Sequence, residues 1–139
     1  MSASEFLADG PIPNAPGASL QFFPNPLNFG LVDYAHRPIV RSESLYNAGT
    51  GTLEFAGTYN FSPSSQFRFY LPPDLSPLPP RTSRFVQIEF IPPNIPPNAN
   101  ETIFGTRFGS LNIDTINPTR RYNLPMEATV GKHEISIDQ

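Results

Sequence analysis

Proline sets the first limit on what this chain can fold into. It fills 18 of the 139 positions, more than twice its usual share of about 5%, and the prolines run from Pro11 to Pro125 instead of gathering at one end. Inside a helix each would remove a hydrogen bond and collide with the preceding turn, so long helices have no room between them. Proline and glycine together, 18 and 9 residues, still fall short of the roughly 25–30% expected of a disordered low-complexity chain. Twelve phenylalanines and five tyrosines need somewhere to be buried, and among so many turns that place is a small all-β domain. The length of 139 residues fits one domain.

Along the chain the sequence divides into an arm, a body and a tail. Residues 1–19, "MSASEFLADGPIPNAPGAS", carry only scattered apolar side chains and read as an extended Pro-rich arm. Such an arm is poorly ordered unless something holds it. The body, residues 20–130, shows period-two alternation. Val86, Ile88 and Phe90 face one way; Leu111 and Ile113 do the same, as do Leu53 and Phe55, and Tyr122, Leu124, Met126, Ala128 and Val130 form a longer set. Pro125 within that last run suggests an edge strand or a bulge, because proline cannot donate to a ladder. About seven such strands predict an antiparallel β-sandwich of immunoglobulin-like type. Residues 131–139 form a tail.

In "PNPLNFGLV" at 24–32, Leu27 and Phe29 are expected to face the core of an edge strand, with Gly30 letting the chain turn away. Arg41 and Glu43 share the phase of Leu45. Either a bulge shifts the register there, or the sheet is partly open and the two charges pair at its rim; the cost of burying ions favours the bulge. "IPPNIPPNANET" at 91–102 reads as a stiff polyproline-like projection.

The order of these segments resembles the Ig-like domains grouped as choice-of-anchor D and Hydin-type (ASH) domains, relatives of the major sperm protein and PapD-like sandwiches. Leu27, Phe29 and Gly30 match the family's first strand, and Asn47, Ala48 and Gly49 its Asn-x-Gly turn. Leu78 and Pro79 match the approach to its central strand. Val86, Ile88, Phe90 and Pro92 match that strand, and Gly109, Leu111 and Ile113 the next. The likeness spans roughly residues 22–130 and departs at "VDYAHRP", where the family has a glycine. It implies a binding or scaffolding module.

Catalytic chemistry finds little support. His36 and His133 stand far apart with neither a cysteine nor a carboxylate cluster, against the spacing of metal sites. Asp74, Asp114, Glu54 and Glu89 are scattered, and "GTGT" at 49–52 lacks the lysine of a phosphate loop. No enzyme activity, metal or cofactor is expected. A net charge of −3 with only Arg120 and Arg121 adjacent argues against nucleic-acid and membrane partners. "MSASEFLADG" lacks the form of an export signal, so a soluble protein is expected. "PLPPR" at 77–81 reads as a turn before a strand, and the "NFS" and "NET" sequons as ordinary loop residues.

The leading expectation is a non-enzymatic structural protein in a large assembly, such as a bacteriophage capsid decoration or cement subunit, acting through protein contacts or self-association. Candidate interface residues are Phe6, Leu7, Pro11, Ile12 and Pro13 of the arm, Ile95, Pro96 and Pro97 of the projection, and Ile135 and Ile137 of the tail. The tail isoleucines alternate with polar residues and could add a strand to a neighbour. Two alternatives are a carbohydrate-binding module using Tyr34, Tyr59 and Tyr70, and an intracellular scaffold of ciliary or centrosomal type.

Overall fold

The computed structural model describes residues 17–33, 38–92 and 105–131. They form eight strands and no helix: β1 (Leu20–Phe23), β2 (Leu27–Asp33), β3 (Ile39–Asn47), β4 (Glu54–Ser62), β5 (Phe67–Phe69), β6 (Ser83–Phe90), β7 (Gly105–Asn117) and β8 (Thr119–Gly131). Two four-stranded sheets face each other, the first ordered β1-β3-β6-β5 and the second β2-β8-β7-β4. This is the expected all-β sandwich, with one strand more than the alternation suggested. One pairing departs from the antiparallel rule, since β2 runs parallel to β8.

That exception follows from how the chain begins. β1 pairs with β3 in the first sheet until Phe23 meets Ser44. Ser44 leaves β3 only a few residues further to run, and after Pro24, Asn25 and Pro26 the chain resumes as β2 against Met126 in the second sheet. Prolines offer no N–H to the ladder they leave, so the crossing falls where pairing is cheapest to give up. One extended stretch thus serves both sheets in turn. Among the described residues each sheet is left with half an uncovered margin: β3 has no outer neighbour over Ile39–Glu43, and β8 none over Thr119–Pro125. Pro125 sits at the end of the uncovered half of β8, so its edge reading holds locally although β8 is an inner strand beyond it.

Alternation places the core as expected. Leu27, Phe29, Leu45, Val86, Ile88, Phe90, Leu111, Ile113, Leu124, Met126, Ala128 and Val130 are all buried. Phe29, Phe67 and Phe90 meet at the centre with ring centroids 5.2–5.9 Å apart, at the tilted separations that aromatic rings prefer. Gly30 does not turn the chain away from the sheet. With φ of +79°, it lies within a register shift between Asn28 and Leu31, a bulge that glycine accommodates without steric cost, and the strand continues to Asp33.

Asn47 ties three distant segments together. Its Oδ1 accepts from the Ser19 and Gly49 N–H groups, and its Nδ2 donates to the Gly51 and Leu78 carbonyls at 2.8 and 3.0 Å. Leu78 in turn bridges Leu53, so "PLPPR" is a structural turn here. Residues 17–19 lie against this corner, with Ala18 inside the core. A Cβ on Gly49 would overlap the Gly17 carbonyl, which is why no larger residue fits there.

The expected bulge at Arg41 and Glu43 is absent. The β3–β6 register runs unbroken from Ile39↔Phe90 to Tyr46↔Ser83, which keeps every ladder pair and carries Glu43 into the interior. The acid is fully buried and neither carboxyl oxygen has a hydrogen-bond partner. Burial pushes its pKa to about 8, so near neutral pH the group enters the core mostly uncharged. Arg41 does not pair with it. Close to the sheet margin, its guanidinium stays in solvent and donates across the sandwich to the Phe29 carbonyl at 3.2 Å.

Candidate binding surface

The outer faces of the two sheets differ in kind. On the second sheet, cross-strand polar pairs engage one another. Arg121 bonds Asp114 at 2.8 Å, Thr58 bonds the same carboxyl at 2.7 Å, and Asn123 donates to Asn112 at 3.0 Å. Asn28 donates to Glu127 at 2.9 Å. The bond from Arg121, then that from Thr58, holds the Asp114 carboxyl below the usual carboxylate range. Leu31, Phe108 and Ile116 protrude from this face: Phe108 and Ile116 lie far apart along β7, and Leu31 stands on the edge strand β2 beside Thr129.

The outer face of the first sheet is aromatic instead. Ladder register aligns Phe23, Ser44 and Phe85 across β1, β3 and β6, which puts all three on one side of the sheet. Phe85 is 72% exposed and Phe23 53%. Tyr46 leans on Phe23 with ring centroids 6.3 Å apart. Tyr70, whose N–H extends the ladder to the Gln87 carbonyl, is exposed as well. Between the rings stand Ser42, Ser44, Ser83, Gln21 and Gln87. The charged residues of this face, Arg68 and Glu89, bond each other at one corner at 2.7 Å.

The two flanks of the sandwich also differ. Between β4 and β5 the gap is closed by edge-on packing of Phe69 against Tyr59 and Phe61, with centroids 4.8 and 4.9 Å apart. Between β1 and the uncovered half of β8 it stays open as a groove of about 370 Å³, lined by Leu20, Gln21, Phe22, Phe23, Asn25, Tyr122 and Asn123. The Tyr122 hydroxyl is buried without a hydrogen-bond partner in the protein. Phe23 belongs both to this groove and to the aromatic face.

The residues singled out from sequence fall unevenly on this map. Phe6, Leu7, Pro11, Ile12, Pro13, Ile95, Pro96, Pro97, Ile135 and Ile137 lie outside the described residues, as do Tyr34, His36 and His133 and most of the proline-rich projection. Of the two other tyrosines, Tyr70 stands on the aromatic face while Tyr59 closes the opposite flank. Asp74 receives the Ser76 N–H, a bond that lowers its pKa, and lies 3.8 Å from Arg84. Among the described residues no three metal-ligating side chains gather, and no helix is long and apolar enough to cross a membrane. The aromatic row went unpredicted, yet one signal marks it: Phe85 occupies the polar phase of "SRFVQIEF", and Phe22 and Phe23 put rings on both faces of one strand.

No protein-family model matches the chain, and no curated protein matches its sequence. Solved structures do share the fold. A protein of unknown function from Porphyromonas gingivalis W83 is similar at 14% identity and a TM-score of 0.59, over 88% of this chain and 53% of that one. The protease VesB of Vibrio cholerae is similar at 13% identity and a TM-score of 0.54, over 79% of this chain and 31% of its own. The secreted serine protease VesC of the same organism gives 10%, 0.54, 83% and 23%. The chain therefore spans about half or less of each of these proteins, and the likeness is one of fold.

Proposed function

We propose that this chain is a non-enzymatic module that joins a larger protein assembly through the outer face of its first sheet. The observation that carries this reading is the alignment of Phe23, Tyr46 and Phe85 on one face with only small or uncharged side chains between them. Clustered exposed rings are what partner-binding surfaces present, and the absence of charge lowers the desolvation cost of covering them. A phage decoration subunit is one assembly that such a module suits. The likeness to two proteases, each over less than a third of its length, fits an accessory domain as well as a catalytic one. A Phe23→Ser, Phe85→Ser double variant tests the reading. It is expected to keep the native melting temperature and to lose the partner that co-purifies with the native chain from its source; retention of that partner would place the contact elsewhere.

A further inference from the structure

The uncovered half of β8 carries a second assignment, independent of any partner on the aromatic face: we propose that residues 134–138 of a second copy of this chain add a strand to it over residues 119–124, joining copies head to tail. Along those six residues the backbone alternates between groups bonded to β7 and groups directed to the open margin. Three N–H groups and the carbonyls of the same residues therefore point outward, with no strand beside them among the described residues. The side chains of this stretch divide in the same regular way. Tyr122 packs against the core and Leu124 lies within it, whereas Arg121 and Asn123 bond to Asp114 and Asn112 on the outer face.

Residues 134–138, "EISID", match that margin in phase, charge and length. Ile135 and Ile137 share one face of a strand, so they fall together on the side of Tyr122 and Leu124, and Glu134, Ser136 and Asp138 fall on the polar side. Residues 119–125 hold two arginines and no acid, while residues 134–138 hold two acids and no base. Arg120 and Arg121 are both exposed at the start of the margin, and opposite charges on neighbouring strands attract. A strand of five residues also pairs within the six that are open.

The donor is a second molecule because the tail does not reach its own margin. Pro125 lies six residues before Gly131 along β8, about 20 Å at strand rise, and β2 occupies the ladder between them. Ile135, four residues past Gly131, reaches at most about 14 Å. The other edges are poorer templates. The open part of β3 sets Arg41 and Glu43 in its inward phase, β2 is bulged at Gly30, β4 shifts register twice, and β1 and β5 have only four and three residues.

The test is sedimentation equilibrium of the full chain from about 10 µM to about 1 mM, a range that reveals millimolar association, with amide hydrogen exchange measured at both ends of it. A head-to-tail contact is heterologous and does not require closure, so the average mass should rise steadily with concentration. In the concentrated sample, exchange at the margin-facing amides of residues 119–124 should slow by about twofold or more. The Ile135→Asp, Ile137→Asp double variant should lose both effects with an unchanged melting temperature, and the Phe23→Ser, Phe85→Ser variant should keep both. A mass that stays at one chain throughout overturns the assignment, as does association that survives the isoleucine substitutions or disappears with the phenylalanine ones. Association without slower exchange along residues 119–124 overturns it in favour of another surface.

Discussion

At the scale of single residues, Glu43 shows how a sequence rule can fail for a physical reason. An acid in the phase of Leu45 argues for a bulge if the group must stay ionised, because buried ions are costly. A carboxyl that keeps its proton avoids most of that cost, and the unbroken β3–β6 ladder is worth more than its exposure. The consequence for pH follows directly. The folded pKa, about 8, lies above the unfolded value of roughly 4.3, so the folded state holds a proton that the unfolded state releases between them. The stabilising contribution of this group is complete below the unfolded value, declines as pH rises through the interval, and is gone above the folded value. Urea denaturation between pH 5 and pH 8.5 should show stability falling with pH, and Glu43→Met should flatten that dependence. The gain at pH 8.5 should be on the order of 2 kcal/mol, less than the full linkage value because water relaxes around a site near the sheet margin. A variant whose pH profile matches the native one would remove Glu43 from this account.

Among elements, the strand shared between sheets is the feature that sequence reasoning did not reach. Period-two alternation reveals that a segment is a strand and which side chains face inward, and Val86, Ile88, Phe90, Leu124 and Met126 were legible on that basis. It does not reveal which sheet a strand joins, because inward-facing residues of either sheet look alike. Hence "PNPLNFGLV" could be identified as an edge strand while its switch of sheet, its parallel pairing and the uncovered half of β8 could not. The aromatic face was missed for a related reason: its members are spread over β1, β3 and β6, and only register brings them together. Hydrogen exchange can observe the uncovered margin. Between Thr119 and Pro125, amides pointing away from β7 should exchange quickly and their alternate neighbours slowly. From Met126 to Val130, where β8 has a strand on each side, slow exchange should extend to both sets. Uniform protection along β8 would mean that another segment covers the margin.

For the molecule as a whole, the two flanks divide the work. The β4–β5 side is sealed by Tyr59, Phe61 and Phe69, and among the described residues the β1–β8 side stays open. Phe69→Ala removes the ring that both others pack against, so thermal or urea unfolding should report a loss of about 3 kcal/mol. Tyr122→Phe on the open side should leave stability within about 1 kcal/mol of native or raise it slightly, because its hydroxyl has no partner to lose. Equal losses on both sides would contradict the asymmetry.

The parallel pairing of β2 and β8 also bears on how the domain would carry a load. Tension entering ahead of β1 and leaving beyond Gly131 pulls β2 towards its start and β8 towards its end. Because the two strands run in the same direction, the pull slides one along the other, and the hydrogen bonds between them are strained together instead of opening one by one from an end. Stretching the domain by its two ends would therefore load the β2–β8 hydrogen bonds together, once the short β1–β3 pairing ahead of them has been drawn on.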